Sequence, residues 1–125
     1  MNDSSEVKVV NIKQKLSLFS ETWNPKIVGY LNDHKVQVVK LKGEFVWHHH
    51  EAEDELFLVI GGHLVIHFKD RSVNVNEGEF VIIPKKIKHK PQALDDVEIV
   101  LIEPKTALNT GNVTTDKTVK KQNKI

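Results

Sequence analysis

From Lys35 onward the sequence breaks into short apolar and β-branched runs separated by glycine, asparagine and aspartate, and this punctuation limits the fold more than any other property of the chain. The runs cover residues 36–41, 45–50, 55–60, 64–68, 73–75, 80–83 and 97–102, with no helical periodicity between them. Short strands at such spacing close into an antiparallel sandwich or barrel, so the expected class is all-β, of the jelly-roll kind. Residues 56–60, Leu-Phe-Leu-Val-Ile, are apolar at both parities. If Glu55, Phe57 and Val59 face the barrel interior, Leu56, Leu58 and Ile60 face outward and need cover, because successive strand side chains alternate between faces. A second subunit is the expected cover, since an exposed apolar strand is an aggregation hazard, and the chain is expected to be a homodimer.

The segment ahead of these runs reads differently. Ile12, Leu16, Phe19 and Trp23 recur at helical intervals, with Asn11 placed as N-cap and Gln14 three residues on, and predict a short N-terminal helix over about 12–20. Pro25 stops it, and 27–31 reads as a strand ending at the turn signal Asn32-Asp33. Residues 1–9 are polar and read as loose chain or a short strand. After Pro104 a lysine- and threonine-rich tail is expected to be loosely ordered. With 125 residues the chain has room for one domain with a real core: an arm of helix and strand at 1–34, a barrel core at 35–104 and a tail at 105–125.

Within the barrel runs lies a histidine-rich stretch. His48 and His50 are two apart, which on a strand sends both imidazoles to one face and His49 and Trp47 to the other. Glu55 lies at the wrong parity for an unbroken strand, so a turn must intervene, and the acidic residues 51–54 supply it. The combination looks like a metal site. One His-x-His alone would be weak, because strands often carry polar residues at alternate positions.

Gly43, His48, His50, Glu55 and Gly62 are spaced as in the first motif of the cupin superfamily, and Gly78, Pro84 and His89 match its second motif. The resemblance covers about 35–103. It implies a double-stranded β-helix and makes His89 the fourth ligand beside His48, His50 and Glu55. Two positions depart from the family pattern. Lys86 stands where glycine is usual, which in a left-handed conformation would cost about 1 kcal/mol and suggests a different turn, and Ala93 stands where asparagine often closes the motif. The stretches 41–48 and 54–59, with Glu103-Pro104 and 109–111, resemble the small single-domain cupins related to phosphomannose isomerase, which are commonly dimeric. A cage of this kind does not carry the isomerase reaction with it, because the fold hosts isomerases, epimerases, dioxygenases and plain binding modules alike.

Three imidazoles and one carboxylate suit a divalent transition metal, Zn, Mn, Fe, Ni, Co or Cu, better than calcium or magnesium, which prefer oxygen shells. The leading reading is a small metal-dependent enzyme, of isomerase, epimerase or dioxygenase type, acting on a sugar-like or carboxylated metabolite. Its alternative is a non-catalytic cupin that binds or senses a small molecule or metal, and a third is a structural cupin with an empty site. Around His89, Lys85, Lys86, Lys88 and Lys90 read first as a solvated loop and second as a basic rim for an anionic ligand. Glu103 shares parity with Val97, Ile99 and Leu101; it is expected as a surface or loop carboxylate, the alternative being a general base in the cavity. His34, His63 and His67 are expected at the surface or an interface.

A formal net charge of +1, with Arg71 the sole arginine, gives no field to recruit nucleic acid or an anionic membrane. Cysteine is absent, which rules out disulfides and thiolate chemistry and fits a reducing compartment. The polar, acidic N-terminus and the lack of a long apolar run lead to the expectation of a cytoplasmic protein with a small-molecule partner.

Overall fold

The chain was described from a computed structural model covering residues 6–125; the first five residues of the expected polar N-terminal stretch lie outside the described residues. Its elements are α1 (Ile12–Leu16), β1 (Lys26–Leu31), β2 (His34–Glu44), β3 (Glu55–Gly61), β4 (His63–His67), β5 (Ser72–Asn76), β6 (Phe80–Ile83) and β7 (Lys90–Pro104). The strands form the expected all-β antiparallel architecture, in the order β1-β2-β7-β3-β6, with β4 joined to β5 and β7. The long β7 holds both halves together. It pairs with β2 along most of its length, with β4 through 90–92 and with β3 through 98–102.

Strand parity sorts two apolar layers. Phe57 and Val59 of β3 join Val97, Ile99 and Leu101 of β7 and Val39 and Leu41 of β2 in the barrel interior. Each such fully buried side chain contributes about 1.5–3 kcal/mol of transfer free energy. The opposite parity, Leu58, Ile60, Val100 and Ile102, forms a second cluster with Val38 and the helix residue Leu16. The chain's own N-terminal segment therefore covers part of the face expected to need a second subunit. Phe80 (61% exposed) and Ile82 (53% exposed) on β6 stay uncovered beside Leu58 and Leu56, their partners in the β3 pairing.

The helix is shorter than its apolar stripe. Asn11 caps it as expected, its side-chain oxygen accepting from the Gln14 N–H at 3.0 Å. Ser17 ends it by turning its hydroxyl back to the Gln14 carbonyl at 2.6 Å, a local bond that competes with helix continuation. Trp23, taken as the end of the stripe, instead adopts a left-handed backbone (φ 58°) and enters the barrel, where it stacks on Phe45 at 4.7 Å. With five residues, α1 is far from membrane length, and no described helix is long and apolar enough to cross a bilayer.

The tail departs most from expectation. Rather than lying loose, residues 105–125 fold back on the barrel: Ile27 donates to the Asn123 carbonyl and accepts from the Ile125 N–H, at 2.9 and 3.0 Å. Gln122 donates to the Pro25 carbonyl and the Gln37 side chain. These bonds give the polar tail partners that composition alone could not reveal.

Candidate metal centre

Residues 45–50 were expected as a strand but pair only at one point. The His48 N–H donates to the His89 carbonyl at 3.0 Å and the His89 N–H to the His48 carbonyl at 2.9 Å. That reciprocal pair brings the two histidine-bearing segments together. The turn between His50 and Glu55 is tied to the loop before His89 by two further bonds: Lys85 N–H to the Asp54 carboxylate at 2.8 Å, and Lys86 N–H to the His50 carbonyl at 2.6 Å. Lys86 does take the left-handed conformation (φ 71°), contrary to the expectation of a different turn. Its strain, about 1–2 kcal/mol, is held by the bond to His50.

His48, His50, Glu55 and His89 each bring one ligand atom to within 4.8 Å of the others, and all four are buried. The Nδ1 atoms of His48 and His89 lie 2.8 Å from the carbonyls of Val46 and Ile87. A carbonyl only accepts, so both Nδ1 atoms carry the proton and both Nε2 atoms turn a lone pair inward. Nε2 of His50 and of His89 lie 3.0 and 3.3 Å from Glu55 Oε1. Both nitrogens and that oxygen are buried and lack an aligned hydrogen bond. Acceptors converging on one point, sealed from water, are a costly arrangement unless a cation sits among them. The donor set therefore fits a divalent transition metal.

The electrostatics agree. Burial, helped by neighbouring His89, pushes His48 down to about 4, so this ring is neutral, the ligating form, at neutral pH.

Beside this cluster is a cavity of about 30 Å³, room for a water or two. His48, Glu55 and Asn109 form its polar wall; Trp23, Phe45, Phe57 and Leu101 form much of the rest. The lysines flanking His89 do not line it: Lys85, Lys86 and Lys88 are exposed, and Lys90 pairs with Glu44 at 2.9 Å and lies over the Trp47 ring. His34 and His63 are exposed, and the partly covered His67 bonds Ser72 and Gln92. His49 sits opposite the cluster, bonded to Glu51.

Glu103 corrects the surface expectation. It is 1% exposed and comes opposite Glu55 in the β3–β7 register; burial and the Glu55 charge push its carboxyl well above the usual range. Its parity with Val97, Ile99 and Leu101 was the signal. Lys35 and Gln37, also buried, were not singled out, although they share parity with the interior residues Val39 and Leu41 of β2. The tail entered only through the resemblance at 109–111: Gly111 (φ 57°) packs so tightly on the His48–His49 backbone that a Cβ there would lie 2.2 Å from the His49 carbonyl oxygen.

Comparison with known proteins fits this geometry. Residues 35–104 match the family described as Cupin domain. The chain is 34% identical over 97 residues to the uncharacterized protein YdbB of Bacillus subtilis (strain 168), covering 77% of this chain and 80% of that protein. Among solved structures it is similar to a cupin-2 domain containing protein from Shewanella frigidimarina NCIMB 400, with TM-score 0.77, 42% identity, and 78% and 95% of the two chains covered. It is also similar to protein NMB1881 from Neisseria meningitidis, with TM-score 0.72, 32% identity, and 78% and 99% covered.

Proposed function

The chain belongs to the cupin domain family, and from that premise we propose that it is a small metal-dependent enzyme that acts on a compact metabolite, the metal held by His48, His50, Glu55 and His89. The observation that carries this reading is the convergence of buried, unpartnered acceptors beside a cavity. A divalent transition metal held by these four residues would supply Lewis acidity toward a carbonyl, hydroxyl or bound water.

The cavity narrows the substrate class. Its apolar walls offer a sugar ring few hydrogen-bond partners, so the likeness to phosphomannose-isomerase-related cupins brings no sugar specificity with it. A small molecule with a carboxylate or hydroxy-carbonyl head fits better: with room for a water or two, the cavity beside Trp23, Phe45 and Phe57 would admit the head to the metal and leave the rest of the molecule outside. Basic rim lysines would at most attract such an anion from outside.

A second reading has an observation in its favour. Among the described residues lining the cavity, His48 and Glu55 are the only ones with an acid or base side chain, and both belong to the metal cluster. A site without a free proton shuttle suits a module that binds or senses a small molecule. The two readings part on turnover. Elemental analysis of protein purified without added metal, followed by a screen of small carboxylates and hydroxy-ketones, should find metal, binding, and product formation that disappears in His50→Ala with the fold intact. Metal and binding without turnover select the sensor, and protein free of metal that also fails to take it up overturns both.

The uncovered β6 residues support a homodimer as the assembled form. A cysteine-free chain is consistent with a cytoplasmic setting.

A further inference from the structure

Behind the candidate cluster, away from the cavity, lies a buried polar chain that metal binding at four ligands does not require. Glu103 Oε2 accepts from the Gln37 side-chain amide at 3.1 Å and lies 3.7 Å from the Lys35 ammonium. Gln37 in turn accepts from the Gln122 amide at 2.7 Å, and Lys35 donates to the Gln122 side-chain oxygen and to the Ala107 carbonyl. Gln37, Lys35 and Glu103 are at most 4% exposed, and Glu103 Oε1 has no aligned partner. Buried polar groups of this kind would be replaced by apolar ones at little cost unless they held something in place. What they reach is Glu55, the one anionic residue of the cluster: the antiparallel register that pairs Phe57 with Leu101 and Leu56 with Ile102 brings Glu55 opposite Glu103, and both are buried.

We propose that Glu103 is a positioning residue for the ligand Glu55, and that the chain Gln122–Gln37–Glu103 makes the C-terminal tail a working part of the metal site. Two features argue for positioning rather than fold stability alone. Strand residues inside the barrel are otherwise apolar at this parity, Val39 and Leu41 on β2 and Val97, Ile99 and Leu101 on β7, so the polar members are confined to the end of the barrel that carries Glu55. The tail also contacts the other side of the cluster: Asn112 N–H donates to the His49 carbonyl and Asn112 Oδ1 accepts from the His49 N–H, at 3.0 and 2.8 Å. One segment thus braces the His48–His50 segment directly and Glu55 through two intermediaries. Without the chain, the carboxylate keeps its charge but loses its orientation, and metal affinity falls although all four ligands remain.

This inference rests on the metal-binding reading above, and the experiment separates their failures. The full chain, stripped of metal, is titrated with Zn2+ or Mn2+ against a competing chelator, for the wild type and for Glu103→Ala, Glu103→Gln, Gln37→Leu and Gln122→Ala. Loss of an outer-shell partner is expected to weaken binding about 10–100-fold in Glu103→Ala and Gln37→Leu. Gln122→Ala should weaken it less. Glu103→Gln should restore most of the affinity, because its amide still accepts from Gln37 and donates toward Glu55; a merely structural carboxylate would not be rescued in affinity. If Glu103→Ala does not fold, Gln122→Ala and Glu103→Gln carry the test. Wild-type affinity in Gln122→Ala and in whichever of Glu103→Ala and Gln37→Leu folds overturns the positioning role. A wild type that takes up neither ion overturns the metal reading beneath it.

Discussion

His48 and His89 hold each other through two backbone hydrogen bonds, at 3.0 and 2.9 Å, with ring centroids 4.4 Å apart. Residues 41 positions apart in sequence thereby present their Nε2 atoms to the same point, and neither imidazole can leave without loosening the other segment.

His89→Ala removes one ligand and leaves the bridging backbone bonds in place. The interior cluster around Val59, Ile66 and Ile99 is apolar and keeps the sheet folded without the ion. Metal bound per chain is expected to fall at least about tenfold, with an unchanged far-ultraviolet circular dichroism spectrum. Elemental analysis decides it, and full occupancy in the variant sinks the ligand assignment.

Acid should release the metal and then weaken the apo fold. His48 is held down to about 4 by burial and His89, against an ordinary value of 6.5. A base with a lowered folded pKa binds fewer protons when folded, so its contribution is present above 6.5 and is lost as pH falls toward 4. Glu103 has the opposite sign: raised by burial and by Glu55, it favours the folded state at low pH and opposes it as pH rises above 4.5. Denaturant titrations of metal-free Glu103→Gln protein, in which the opposing carboxyl is removed, should therefore show stability falling between about pH 6.5 and 4. A flat profile across that window would place His48 in a wetter site than described.

The strands were legible because turn residues and apolar runs are local properties. Parity placed Phe57 and Val59 inside and Leu58 outside, and motif spacing brought out His48, His50, Glu55 and His89. What escaped notice depends on contacts distant in sequence. Gln37 and Lys35 look like ordinary polar strand residues until Gln122 reaches them from the tail. Trp23 matches a helical stripe by spacing, yet its indole N–H finds the Lys42 carbonyl at 2.8 Å and draws it into the barrel. Glu103 had the correct parity, but a carboxylate is rarely buried without a partner, and the partners were not visible in its neighbourhood.

The assembly can be tested at β6. Leu58 pairs with Phe80 and Leu56 with Ile82, and both β6 side chains are more than half exposed. If a second copy covers them, Phe80→Lys combined with Ile82→Lys should convert dimer to monomer in size-exclusion chromatography with light scattering, without loss of bound metal, since neither residue touches the cluster. A wild type that runs as a monomer at high micromolar concentration removes the homodimer.

Two glycines separate strain from collision and so test whether the tail is docked as described. Gly43 and Gly111 both have positive φ, 80° and 57°, so alanine at either position meets the left-handed penalty of about 1–2 kcal/mol. Around Gly43 nothing lies within 4 Å of a would-be Cβ, and the penalty is the whole effect. At Gly111 the same atom would lie 2.2 Å from the His49 carbonyl oxygen and 3.0 Å from His48 Cδ2, closer than real Cβ contacts allow. The His48–His49 segment cannot retreat freely, because His48 is bonded to His89 on its other side, so the tail must lift. Lifting breaks both Asn112 bonds to His49. Gly111→Ala should therefore cost clearly more stability than Gly43→Ala in denaturant unfolding, and it alone should speed hydrogen exchange at the His49 and Asn112 amides. Equal costs for the two variants, with those amides still protected, would mean that the tail does not pack on the His48–His49 backbone.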